Sequence, residues 1–140
     1  MSRPMRVPFL PRPGGNSGPH DMVPLLSFVL SSGAKTVPLT GIVDSGASFS
    51  VLPFDIGKQF GFDWHSLTQP LQIGGAGGRV PAKIIRLTAT VGQFPPVSMI
   101  FAWVTTNSYP IVLGEMSFFY EFDVFLSRRH SYFEIQPATP

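Results

Sequence analysis

The sequence contains no cysteine. That excludes a disulfide scaffold, a thiol nucleophile, a cysteine-based zinc site and an iron–sulfur cluster. Charge is scarce as well. Asp, Glu, Lys and Arg make up 13% of the chain, about half the usual share. The net charge of +2 comes from the N-terminal residues, where Arg3, Arg6 and Arg12 stand close together. From Asp21 onward, 7 basic residues meet 8 acidic ones. That part is nearly neutral and lacks the electrostatic footprint of a nucleic-acid binder. No apolar run approaches the ~18 residues of a membrane span. The opening Met-Ser-Arg-Pro-Met-Arg leads into prolines, not into the apolar core of a secretory signal. The expectation is a soluble, cytoplasmic protein with neither a membrane nor a nucleic acid as partner. His20, His65 and His130 lie far apart. They show no His-x-x-x-His metal-ligand spacing and read as surface residues.

What is present points to one β-rich domain. The length of 140 residues suits a single domain, and a hydrophobic share of 44% supplies a core. Fourteen glycines and fifteen prolines punctuate the chain with turns and leave little room for long helices. The 13 Phe, 2 Trp and 3 Tyr are not interleaved with basic residues, so they read as core, Trp64 and Trp103 included. Residues 1–20 hold five prolines and three glycines. They read as a flexible tail outside the core, either merely solvated or a PxxP-type docking segment. The domain proper is then 21–140.

Within it, Val23–Ser31 and Thr36–Val43 read as a hairpin, with Pro38 near an edge. Phe54–Phe60 reads as a short helix closed by Gly61. Leu71–Ile73 and Val80–Val91 read as strands joined by Gly74-Gly75-Ala76-Gly77-Gly78. Val97–Val104 and Ile111–Leu113 follow as strands, and Met116–Phe122 as about two helical turns. A last hairpin pairs Val124–Leu126 with Tyr132–Gln136. The chain shows no internal repeat.

The chemistry concentrates in Gly41-Ile42-Val43-Asp44-Ser45-Gly46-Ala47. Two β-branched residues run directly into a carboxylate, a hydroxyl and a glycine. A strand ending in a buried Asp would hold that carboxylate on a rigid support. Gly46 allows a sharp turn and a close approach, and Ser45 can bond neighbouring backbone. An Asx-type turn at a strand end would give the same letters. Asp21, Asp55, Asp63 and Asp123 lack the following hydroxyl and glycine. The glycine run at 74–78 suits a mobile lid whose backbone reaches a ligand's backbone. A phosphate cradle would need a helix after it, whereas 80–90 reads as a strand.

Taken together and in order, these segments resemble the retropepsin-like aspartic proteases. Ile42-Val43-Asp44-Ser45-Gly46-Ala47 is similar to that family's catalytic loop. Ile73-Gly74-Gly75-Ala76-Gly77-Gly78 is similar to its flap, and Ile111-Val112-Leu113-Gly114 to its apolar-apolar-Gly segment. Phe118–Val124 is similar to the helix-then-strand continuation of bacterial members. The resemblance covers 23–137. It implies an all-β fold, a small closed barrel with one or two short helices, acting as a symmetric homodimer.

It further implies an aspartic endopeptidase in which Asp44 from two chains activates a water, Ser45 and Gly46 shape the site, and neither metal nor cofactor takes part. Ala47, Gly74, Gly75, Ala76, Gly77, Gly78, Val112, Leu113 and Gly114 would bind a peptide or protein substrate, with Gly114 placed where a side chain would strike the catalytic loop. The sequence departs from retroviral members in three places. Ser45 stands for the usual Thr, and Ser48 and Glu115 replace the two halves of an ion pair. Tyr132–Ile135 would serve as an intersubunit strand or an extra edge strand. The rival readings are a non-catalytic peptide-binding or dimerisation module on this fold, and a small-barrel assembly protein.

Overall fold

The computed structural model describes residues 3–16, 18–68, 70–75 and 78–140. Ala76 and Gly77 of the expected flap lie outside them. The architecture is mostly β. In chain order the strands are β1 (Met5–Pro8), β2 (Leu10–Pro11), β3 (Met22–Val23), β4 (Leu25–Ser32), β5 (Lys35–Val43) and β6 (Val51–Leu52). After the helix α1 (Phe54–Gln59) come β7 (Pro70–Gly75), β8 (Gly78–Thr90), β9 (Val97–Val104) and β10 (Val112–Leu113). One short helix, α2 (Phe118–Glu121), precedes β11 (Phe122–Ser127) and β12 (Tyr132–Pro137). Among the described residues, no helix is long and apolar enough to cross a membrane.

Seven strands form the main sheet in the order β4-β5-β10-β6-β9-β8-β7, and β4 pairs back onto β8 through Val29–Ser31. The core lies inside this curved sheet. β9 is its centre: Phe101, Ala102, Trp103 and Val104 are all fully buried, as a strand packed on both faces must be. α1 seats on β9 through Trp103, whose Nε1 donates to Phe54 O at 2.8 Å while the Phe54 ring stacks on the indole at 5.3 Å. The helix comes so close that a Cβ on Gly57 would overlap the indole, 2.6 Å from Cδ1. Gly61, at φ +84°, then ends the turn as its sequence position predicts. Pro24 splits the expected 23–31 strand into β3 and β4, because it has no N–H for a ladder.

Three sequence expectations need correction. Residues 1–20 are not simply a tail outside the core. β1 pairs antiparallel with β12, Met5 opposite Ile135 and Pro8 opposite Tyr132. Phe9 is buried, with its ring 6.4 Å from that of Phe133. Met5, Val7 and Phe9 alternate inward, a period-2 pattern masked by the surrounding prolines. β1 is an edge strand, where proline is tolerated. Arg6 fastens it by bonding Glu134 at 2.8 Å and lying 4.1 Å over the Tyr132 ring.

β12 is neither an edge strand nor free to pair with another chain, since β1 and β11 occupy both its sides. The helix expected over Met116–Phe122 shrinks to the single turn of α2. Met116 N–H is already committed to Ser48 O, and Ser117 takes φ +72°, so the helix starts only beyond them.

Candidate active site

Asp44 stands at the end of β5, whose Ile42 and Val43 pair in parallel with Val112 and Leu113 of β10. Its N–H donates to Leu113 O at 3.0 Å, which continues the ladder one residue past the strand. The chain then folds back on itself. Asp44 Oδ1 accepts from Gly46 N–H at 2.9 Å, and Asp44 O accepts from Ala47 N–H at 3.2 Å. This is a side-chain-stabilised turn of the kind Asp favours, and it holds one carboxylate oxygen in place. Among the described residues the Ser45 hydroxyl makes no hydrogen bond, so stiffening of the loop falls to Asp44 itself and not to Ser45.

Asp44, Ser45 and Gly46 are exposed. The expectation of a buried Asp is therefore corrected: among the described residues of one chain, none buries the carboxylate. β5 ends at Val43, and the turn that follows exposes Asp44, Ser45 and Gly46 before the chain returns to the buried Ser50.

Beneath the loop runs the segment 113–117. Glu115 N–H donates to Ala47 O at 2.8 Å and Met116 N–H to Ser48 O at 3.0 Å. Gly114 lies so close below that a Cβ there would overlap Phe49 O and come within 2.7 Å of Ala47 O. Only glycine fits this approach. Ser50, buried at 1% exposure, accepts from Gly114 N–H and donates to Met116 O, both at 3.0 Å.

A cleft of about 400 Å³ opens in front of Asp44. Its lining comes from three stretches of chain: Gly46 to Val51 after the carboxylate, Gln72, Ile73 and Gly74 of β7, and Tyr109, Pro110 and Val112. Asp44 is the one carboxylate among the described lining residues. A larger hollow of about 620 Å³ lies elsewhere, over the outer face of β4 and β5 near Ser27, Pro38 and Thr40. It has no titratable side chain in its described lining, so it offers no comparable chemistry.

The structure thus brings Asp44, Gly46, Ala47, Gly74 and Val112 to one cleft. Leu113 does not line it. It is buried at 1% exposure in the main core and supports the loop through its carbonyl. Gly114 likewise sits under the loop. Gly75 and Gly78 pair with each other at the end of the β7–β8 ladder, so Gly74, Gly75 and Gly78 are strand.

Sequence reading passed over Ser50, Phe49, Val51, Gln72 and Tyr109. Phe49 and Val51 alternate along the chain after Ala47, and Gln72 precedes the glycines by two residues; strand periodicity outward from the motifs is the signal that points to them. Tyr109 lies in a loop whose course only β10 decides, and it carries no local signal.

The profile of the aspartyl protease family matches residues 29–116, from β4 through Met116. Among solved structures the chain is similar to the EIAV protease complexed with the inhibitor HBY-793, with 20% sequence identity and a TM-score of 0.50. The similarity covers 67% of this chain and 83% of that one, and at this identity it speaks for the fold. None of the curated proteins matches the chain.

Proposed function

The chain belongs to the aspartyl protease family, and from that premise we propose that it is an aspartic endopeptidase whose active unit is a symmetric homodimer. The observation that carries the reading is the pairing of a rigidly held, exposed Asp44 with a cleft that contains no second carboxylate among its described lining. Peptide hydrolysis by carboxylates needs two of them. Like charges about 3 Å apart cannot both ionise, so the pair shares one proton. The ionised member takes a proton from water. As it does so the water oxygen bonds the scissile carbonyl carbon, and the protonated member gives its proton to the carbonyl oxygen, forming the tetrahedral intermediate. The C–N bond then breaks as the proton taken from water passes to the amine nitrogen, and a hydroxyl of the intermediate returns its proton to the other carboxylate, which restores the singly protonated pair.

A second copy brings the second Asp44 across a two-fold axis, which makes the contact isologous. It also covers the carboxylate that one chain leaves in solvent. The surface available for that contact includes Met116, Tyr120, Phe125 and Leu126, all exposed large side chains. β11 adds an unpaired strand edge, since β12 is occupied on both sides. A substrate peptide lies extended between β7 and the 109–112 segment, with its backbone against the glycines of the flap. Phe49, Val51, Ile73 and Val112 favour apolar side chains next to the cut bond.

The test compares wild type with Asp44→Asn on a mixed peptide library, read by mass spectrometry over a range of protein concentrations. The reading expects cleavage by the wild type alone, rising faster than linearly with concentration in the range where dimers form. Peptide binding without turnover would replace it with a non-catalytic module. Equal cleavage by both proteins would remove Asp44 from the mechanism.

A further inference from the structure

We propose that Ser50 is a positioning residue for Asp44, and that its hydroxyl sets the turnover step and not substrate affinity. This rests on the reading of Asp44 as the catalytic carboxylate. Among the described residues Ser50 is the one buried polar side chain. A buried hydroxyl is costly unless its hydrogen-bonding capacity is used. Here both functions are used, on two groups of a single turn: Ser50 Oγ accepts from Gly114 N–H and donates to Met116 O, each at 3.0 Å.

The first of these bonds has a consequence at the site. Gly114 N–H and Leu113 C=O are the two ends of one peptide unit, and that unit is planar. Its N–H is held by Ser50 Oγ, and its C=O holds the N–H of Asp44 at 3.0 Å. A rotation at one end is a rotation at the other. The two bonds also polarise each other through the peptide, as hydrogen bonds in series do. Ser50 is itself anchored to the most buried strand, since Ser50 O accepts from Ala102 N–H at 2.8 Å.

The structure therefore contains a continuous path from β9 through Ser50 and the Leu113–Gly114 peptide to the backbone of Asp44. The other described bonds between the 44–50 loop and the 113–116 segment run backbone to backbone. Ser50 supplies the links that a side-chain substitution can remove. Without the hydroxyl, the Gly114 N–H loses its partner in a place where Ala47 O and Phe49 O already crowd the glycine. The peptide turns to find another partner, and Asp44 turns with it.

The experiment uses full-length protein carrying Ser50→Ala, Ser50→Thr or Ser50→Val. Thr keeps the hydroxyl, and Val adds the same bulk without it. With the best peptide found for the wild type, Ala and Val are expected to lower kcat by ~10–100-fold, with KM within about twofold. Thr is expected to retain most of the wild-type kcat. Amide hydrogen exchange supplies a reading independent of turnover. Exchange at Asp44 is expected to accelerate by about tenfold in Ala and Val while exchange at Ile85 in β8 stays unchanged, the pattern of a local opening.

Equal acceleration at Asp44 and Ile85, with kcat per folded dimer unchanged, would overturn the proposal and leave Ser50 a stability residue. Loss of kcat in Thr equal to that in Val would overturn it as well. If the wild type cleaves nothing, the protease reading fails by itself. The Asp44 exchange comparison then still decides whether Ser50 holds the loop.

Discussion

Replacing Gly114 by alanine puts the relation between packing and catalysis to a direct test. The added Cβ would overlap Phe49 O and sit 2.7 Å from Ala47 O and 2.8 Å from Phe49 C. These are backbone atoms, so no rotamer change relieves the contact. At Ala47 O the gap is roughly 0.7 Å short of van der Waals distance. The contact with Phe49 O is tighter still, so either the loop or the Gly114 segment must move by more than that. The cost is purely steric, because Gly114 is not among the glycines with positive φ. Overpacking of this kind costs ~1–3 kcal/mol. Lower entropy in the unfolded chain returns about 0.4–1 kcal/mol.

A net loss of about 1.3 kcal/mol lowers Tm by roughly 3–5 °C for a chain of this size. The same displacement moves Asp44 within its site. Misplacement on the order of 1 Å costs ~100-fold in rate, so kcat falls much further than the loss of folded protein explains. The assays are a thermal melt by circular dichroism and peptide turnover well below the melting range. Gly74→Ala is the control for stability, since its Cβ meets nothing within 4 Å. Wild-type Tm and wild-type turnover in Gly114→Ala would refute the close-approach argument and the loop geometry with it.

Gly57→Ala forces a Cβ into the Trp103 indole, which is fully buried and bonded to Phe54 O; tryptophan fluorescence melts should show a loss of ~1–3 kcal/mol. Phe9→Ala removes a ring packed on Phe133 and should cost ~3 kcal/mol, measured by urea titration. No change there would return the first twenty residues to the status of a tail. Phe125→Lys alters a side chain that is 56% exposed on the free-edged β11. The Tm of the monomer should stay within about 1 °C, as for most surface changes, while sedimentation at graded concentrations should show a weaker dimer. Unchanged association would move the interface away from β11.

The candidate site was legible where its signals are local. Asp44 at the end of an apolar strand, the turn at Gly46 and the glycine hairpin after Ile73 each depend on neighbours within a few positions. Propensity and alternation act at that range. The same holds for the Gly61 stop of α1. Local pattern failed where distant segments competed. Met116 and Ser117 read as helix, yet Ser117 Oγ takes the N–H of Ile100 at 2.9 Å and Met116 is tied to Ser48. Those bonds offset the weak preference of a short helix, whose first turn is unfavourable in isolation.

By itself, the sequence determined most strands from Leu25 onward, the turns between them and the place of Asp44 at the end of an apolar strand. The tertiary structure decided what those pieces touch. It packed Phe9 on Phe133 and paired β1 with β12, and so drew the first residues into the fold. It left Asp44 exposed in a turn after β5, and it placed Ser50 under Gly114, 64 residues on. Such contacts follow from burial and from satisfying buried polar groups over the whole chain at once, and no window of neighbouring residues contains that information.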